Sequence, residues 1–91
     1  MKVATRSICH NRIVSAAAAV TLCDGIVNRD SLIISNDMGT LFVKLGLGAS
    51  PSNYTYRLNS YAVLEIGAYW KSHVSAIKAS GTGIVRVTET E

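Results

Sequence analysis

From residue 31 onward, apolar and polar side chains alternate in short runs, the period of two that sets every second residue on one face of a β-strand. In SLIISN (31–36), Leu32 and Ile34 share a face. NDMGT (36–40) follows, a turn whose Asn36, Asp37 and Gly39 supply the backbone freedom a reversal needs. TLFVKLG then sets Leu41, Val43 and Leu45 against Phe42 and Lys44. Two such runs on either side of turn residues predict a β-hairpin. NYTYRL groups Tyr54, Tyr56 and Leu58, with Thr55 and Arg57 opposite. After a turn at Asn59 and Ser60, YAVLEI places Ala62, Leu64 and Ile66 opposite Tyr61, Val63 and Glu65. HVSAIKA predicts a further strand, SGTG (80–83) a turn, and IVRVTE the last strand. Short strands at close spacing, joined by Gly, Ser and Asn turns, predict an all-β fold: a small antiparallel β-sandwich or barrel. Its expected interior is Leu32, Ile34, Leu41, Val43, Leu64, Ile66, Val74, Ile77, Val85 and Val87. The one proline, Pro51, falls in a loop, where its missing N–H does no harm.

The pattern changes near residue 28. No aromatic residue precedes it; Phe42, Tyr54, Tyr56, Tyr61, Tyr69 and Trp70 all follow. Residues 1–28 are therefore read as an extended N-terminal arm with a leading strand or strands, and 29–91 as the β-sandwich unit of a single domain. SAAAAV (15–20) has high helix propensity. It runs into V-T-L-C, which favours strand, and no cap flanks it, so an extended segment is expected, with a short helix as the alternative. Residues 1–12 lack strand alternation and carry Lys2, Arg6 and Arg12 without an acid. They are expected to dock on a neighbouring subunit; the alternative is an added edge strand on their own sandwich. The same bases, with IVSAAAAVTL (13–22) behind them, imitate a secretion signal. That run is too short for a membrane span of about 20 residues, and Leu22 stands where a lipoprotein signal needs a small residue before Cys23. An intact, soluble chain made in the cytoplasm is expected.

Composition sharpens one point. The chain of 91 residues is 48% hydrophobic and only 16% charged, where about 25% charged is usual. A small domain with so few charges must carry apolar groups on its surface, and such patches mark interfaces. The net charge of +3 is mild and its bases are spread along the chain, unlike the clustered stripe of a nucleic-acid binder. Cys9 and Cys23 are too few for the disulfide framework of a small secreted domain. Free thiols are expected.

Candidate chemistry is thin. KLGLGAS (44–50) places two glycines after a strand, as a phosphate-cradling loop does. That motif must lead into a helix, whereas here a strand pattern follows, so the glycines read as turn residues. Cys9, His10, Cys23 and His73 include metal-binding types, but not at the paired spacing of a structural zinc site. His10 or His73 with Asp24, Asp30 or Asp37 could be drawn into a Ser–His–Asp site, but no nucleophile elbow accompanies them. Tyr54 and Tyr56 near Arg57 have the makings of a base-stacking strip; tyrosines on an apolar face are more often half-buried core or interface. In AYWKS (68–72), Trp70 beside Tyr69 either caps the core or anchors a partner. Asn53-Tyr54-Thr55 fits the glycosylation triplet, which is discounted in a chain read as unsecreted. No enzyme activity, cofactor or metal is expected. The candidate partner interface is Lys2, Arg6, Arg12, Tyr54, Tyr56, Tyr69 and Trp70.

RDSLIISN (29–36), TLFVKLGLGAS (40–50), YAVLEI (61–66) and AIKASGTGIVRVTE (76–89) occur in that order. Together they resemble small β-rich structural proteins encoded among the virion genes of tailed bacteriophages. That pattern runs R-x-S-L-I-I-x-N, a strand ending in G-x-G-A-S, an aromatic and L-E strand, and a closing I-x-A-x-x-x-T-G-x-x-R-V-T-E strand. The likeness covers about residues 29–89. A Trp is common in the pattern where Lys78 stands, and a Pro where Ile66–Gly67 stand. The resemblance implies a non-enzymatic virion component, foremost a capsid decoration or cement protein that binds the outer capsid surface and stabilises the head. Its implied partners are the major capsid protein or other virion proteins and copies of itself, with no membrane. A neck, tail or fibre-attachment component is the alternative, and a small nucleic-acid-binding β-barrel the second.

Overall fold

The alternating runs become eight strands in a computed structural model that describes residues 7–25 and 29–91. They are β1 (Ser7–Ser15), β2 (Val20–Cys23), β3 (Ser31–Asn36), β4 (Leu41–Leu45), β5 (Tyr56–Leu58), β6 (Val63–Ile66), β7 (Val74–Lys78) and β8 (Thr82–Thr90). Two four-stranded sheets form, in the orders β1-β8-β3-β6 and β2-β7-β4-β5, with every strand pair antiparallel. The chain is all-β, and the sheets enclose one apolar core, a β-sandwich.

The alternation sorts faces as expected. Leu32, Ile34, Leu41, Val43, Ile66, Val74, Val85 and Val87 are fully buried, joined by Val14 and Leu22 from the first two strands. Leu64 is half-buried against this cluster. Ile77 is buried too, but on the outer side of β7, where it is the cross-strand partner of Phe42.

Two expectations are corrected. β3 and β4 do not form a hairpin, because Asn36–Thr40 carries the chain from one sheet to the other. Two alternating runs around a turn satisfy the same pattern whether they pair with each other or face each other across a core; here β3 pairs with β8 and β6, and β4 with β7 and β5. Among the described residues, β4 and β5 are the only consecutive strands that share a sheet. The second correction concerns the arm. Residues 1–6 lie outside the described residues, but 7–12 follow the alternative reading, an edge strand on their own sandwich. They belong to β1, paired residue by residue with β8 from Ser7↔Thr90 to Ser15↔Thr82. The lack of alternation in this stretch follows from its place at a sheet edge, where both faces are largely open. Ala16–Ala18 make a bend, and β2 begins at Val20.

The glycine loop after β4 lies against the second sheet. Gly46 and Gly48 take positive φ, 129° and 76°, which glycine alone adopts without strain. The loop then returns: the Ala49 N–H donates to Ser75 Oγ at 3.1 Å, and the Thr55 N–H to the Val43 carbonyl at 2.8 Å. A strand, not a helix, follows it. Part of the outer face of β4 and β7 is thereby covered by the chain's own loop.

Candidate interface

The residues expected to meet a partner are not gathered on one patch. Lys2 and Arg6 lie outside the described residues. Arg12, on β1, is half-buried, and its Nε donates to the Leu22 carbonyl at 3.2 Å. That bond ties the edge of one sheet to β2, the edge of the other. Tyr54 precedes β5 and is exposed, its ring 4.8 Å from that of Phe42 at 43°. Tyr56 is the cross-strand partner of core residue Val43 and packs against the core. The two tyrosines therefore do not share a face, as a continuous strand from Asn53 would have required; the strand begins only at Tyr56. The Tyr56 and Tyr69 hydroxyls meet at 3.1 Å. This hydrogen bond, more than burial, raises the Tyr69 phenol above its usual pKa. Trp70 is half-buried against the core, its indole N–H donated to the His73 carbonyl at 3.0 Å, so it caps one end of the sandwich. Tyr56 and Tyr69 meet at β5, and Arg12 binds at β2; these strands are opposite edges of the second sheet.

Two buried cations organise the ends of the core. Arg29 is 1% exposed. Its guanidinium donates to Cys23 Sγ (3.2 Å) and to the carbonyls of Asp24 (3.2 Å), Trp70 (3.1 Å) and Ser72 (3.1 Å). One planar fork thus joins the end of β2 to the loop before β7, a task suited to arginine's fixed donors. Lys78, also 1% exposed, crosses from β7 to the first sheet. Its Nζ donates to Asn36 Oδ1 and to the Met38 carbonyl, both at 2.8 Å. Asn36 in turn donates to the carbonyls of Gly39 (2.7 Å) and Asn59 (2.9 Å). Burial lowers the Lys78 pKa, against an opposing pull from the Asp37 charge. Lys78 carried a readable signal, since Val74, Ala76 and Lys78 alternate on the inner side of β7. Arg29, just ahead of a strand, carried none.

The other reactive types are engaged one by one. Cys9 and Cys23 are free thiols, the first exposed and the second buried. Burial raises the Cys23 pKa, partly offset by Arg29. Cys9 Sγ lies 3.3 Å from Thr88 Oγ1, His10 Nε2 lies 3.4 Å from Glu89 Oε1, and His73 Nδ1 lies 3.6 Å from Asp24 Oδ1. Among the described residues no three His, Cys, Asp or Glu side chains are grouped to hold a metal ion, and no helix is long and apolar enough to cross a membrane.

What remains open is the outer face of the β1-β8-β3-β6 sheet. Directly opposed residues share a face, so the register places Ile13 beside Ile84, Ile33 between Thr88 and Glu65, and Ser35 between Arg86 and Val63. Ile13 is 71% exposed, Val63 64% and Ile84 40%. Among the described residues, Arg86 and Glu65 are the only charged side chains on this face, and Arg86 is 3.5 Å from Asp37. The remaining positions are Ser, Thr, Cys, Asn, Ile and Val. Comparison of the chain with protein families, with curated proteins and with solved structures gives no match.

Proposed function

We propose that the chain is a non-enzymatic structural protein of a tailed-bacteriophage virion, a decoration or cement protein that binds the outer capsid surface and stabilises the head. The observation that carries this reading is the open, nearly uncharged outer face of the β1-β8-β3-β6 sheet. A sheet face that met only water would hold Lys and Glu at many of these positions; this one holds β-branched and small neutral side chains. Such a face docks flat on another protein. The resemblance of residues 29–89 to phage virion proteins supplies the kind of partner: the major capsid protein or another virion protein. A cement of this kind acts by adding buried interface across neighbouring capsid subunits, and no catalytic group is needed.

Quantitative mass spectrometry of purified particles tests the assignment. A cement protein is present at a copy number that tracks the capsid subunits. A count matching a single ring of the neck or tail refutes the capsid reading and favours the attachment role. Ile13→Lys with Val63→Lys should release the protein from particles while leaving its circular-dichroism spectrum and melting temperature unchanged, because both side chains are exposed. Undiminished attachment of that variant would exclude this face as the docking surface.

A further inference from the structure

The outermost strands of the two sheets differ in kind. β5 has three residues, and β2 and β6 four each. The β2 ladder is also broken by a register shift between Thr21 and Cys23. Shortness and irregularity are ways in which a sheet edge is kept from pairing with another chain. β1 has neither. It runs nine residues, its register with β8 is unbroken, and it contains no Pro or Lys. Among the described residues no strand pairs with its other edge. Alternate N–H and C=O groups along it therefore face outward.

We infer that this edge is a self-association site: β1 of one copy pairs antiparallel with β1 of a second copy about a two-fold axis, joining two four-stranded sheets into one. A two-fold interface needs a self-complementary patch, and an antiparallel strand edge is one by construction, since each outward donor meets an acceptor of the same strand in the other copy. Charge agrees. The basic side chains of β1 are Arg12 and His10, and each is engaged within its own chain, on the Leu22 carbonyl and on Glu89. Both lie on the Val14 side of the strand, opposite the exposed Cys9, Asn11 and Ile13, so neither is carried on the open face beside the edge. A foreign peptide added to an edge is normally selected through pockets for its alternate side chains. Here the positions flanking the edge, Cys9, Asn11 and Ile13, stand exposed on an open face instead. Pairing would also cover Ile8 and Ile13, which are 44% and 71% exposed. The inference does not rest on the virion reading, because it concerns the isolated chain.

Sedimentation of the full chain over a concentration series, with amide hydrogen exchange, tests it. A monomer–dimer equilibrium is expected, with the outward amides of β1 slowing their exchange as concentration rises. Cys9→Lys combined with Ile13→Lys, both at exposed positions, should weaken the dimer about tenfold or more through like-charge juxtaposition across the axis, and leave the monomer folded. Mild oxidation should link dimers through Cys9, or through Asn11→Cys in a Cys9→Ser background, whichever lies nearer the axis within bridging distance. A chain that stays monomeric at every attainable concentration overturns the inference. So does a dimer whose β1 amides exchange as in the monomer and which is broken instead by Ile84→Lys on the open face of β8.

Discussion

Gly83 and Lys78 offer a test of how the core is closed. A Cβ added at Gly83 would lie 2.9 Å from Lys78 Cε and 3.1 Å from its Nζ. A free lysine end would swing away at little cost, but this one is pinned by two 2.8 Å hydrogen bonds, to Asn36 and Met38. Gly83→Ala must therefore either strain the Lys78 side chain or break one of those bonds. Overpacking of this kind costs about 1–3 kcal/mol. Removing a strand glycine returns about 0.5–1 kcal/mol of backbone entropy, so the net loss is at most about 2.5 kcal/mol and on the order of 1 kcal/mol at mid-range. In a domain of this size each 1 kcal/mol shifts the melting temperature by about 4–8 °C. Lys78→Val removes Cε and Nζ and with them the obstacle. In that background Gly83→Ala should be neutral or stabilising, because only the entropy gain and some filled space remain. Urea unfolding followed by Trp70 fluorescence gives the four stabilities of the double-mutant cycle, and a coupling of at least about 1 kcal/mol is expected between residues in such contact. Equal costs of Gly83→Ala in both backgrounds would refute the reasoning.

The same clamp has a pH signature. Burial lowers the folded-state pKa of Lys78 below its ordinary value of 10.5, so just below that value the unfolded chain holds a proton the fold has released. The Lys78 contribution to stability therefore rises with pH across this window, against the opposite pull of Cys23 and Tyr69, whose raised pKa values leave the fold holding protons that the unfolded chain releases. The stability difference between wild type and Lys78→Val should shift in favour of the wild type as pH rises, as measured by urea unfolding at alkaline pH. Arg29→Lys keeps the charge but replaces a fork spanning four acceptors with a point donor; the loss of a charge-assisted bond should cost about 1.5–3 kcal/mol, and an unchanged denaturation midpoint would contradict this. Ile34→Ala, at a fully buried position on β3, should cost about 2–5 kcal/mol in the same assay. An aromatic disulfide reagent at neutral pH should titrate Cys9 alone in the native protein and Cys23 only after denaturation, since Cys23 is buried and its pKa raised; a reducing agent should leave the melting temperature unchanged.

The strands were legible wherever one face is buried and the other is not. Leu32/Ile34, Leu41/Val43 and Val85/Val87 point inward as their alternation required. Pairing partners were not legible, because period two states which side of a strand is apolar and nothing about which strand lies beside it. That is why the turn at Asn36–Thr40 suggested a hairpin where the chain crosses between sheets. β1 was less legible for the complementary reason: at an edge, with Ile8, Cys9, Asn11 and Ile13 all exposed and Val14 its one fully buried residue, its sequence declares little of a buried face, so an edge strand stood only as the alternative to docking on a neighbour. Arg12 donates one of its N–H groups, Nε, to the Leu22 carbonyl and Trp70 its indole N–H to the His73 carbonyl, ties within the chain that no local pattern announces. For Lys78 the alternation with Val74 and Ala76 gives the inward direction, but its acceptors, Asn36 and Met38, come from a distant part of the chain and no local pattern names them.

The two outer faces of the sandwich carry the functional argument further than any single residue does. On the second sheet, Ser75 and Ile77 are buried although they point away from the core. The glycine loop lies over that side, Ala49 bonded to Ser75 and Tyr54 stacked near Phe42. On the first sheet the equivalent positions, Ile13, Ile84 and Val63, are left open, and no excess of charge replaces the missing cover. Apolar area standing in water forgoes roughly 25 cal/mol per Å² that burial would return. The chain takes that gain from its own loop on one side and forgoes it on the other. Under the two proposals, neighbouring protein is the cover for this uncovered face and for the long regular edge at β1 that borders it: a second copy along the edge and a larger assembly against the face.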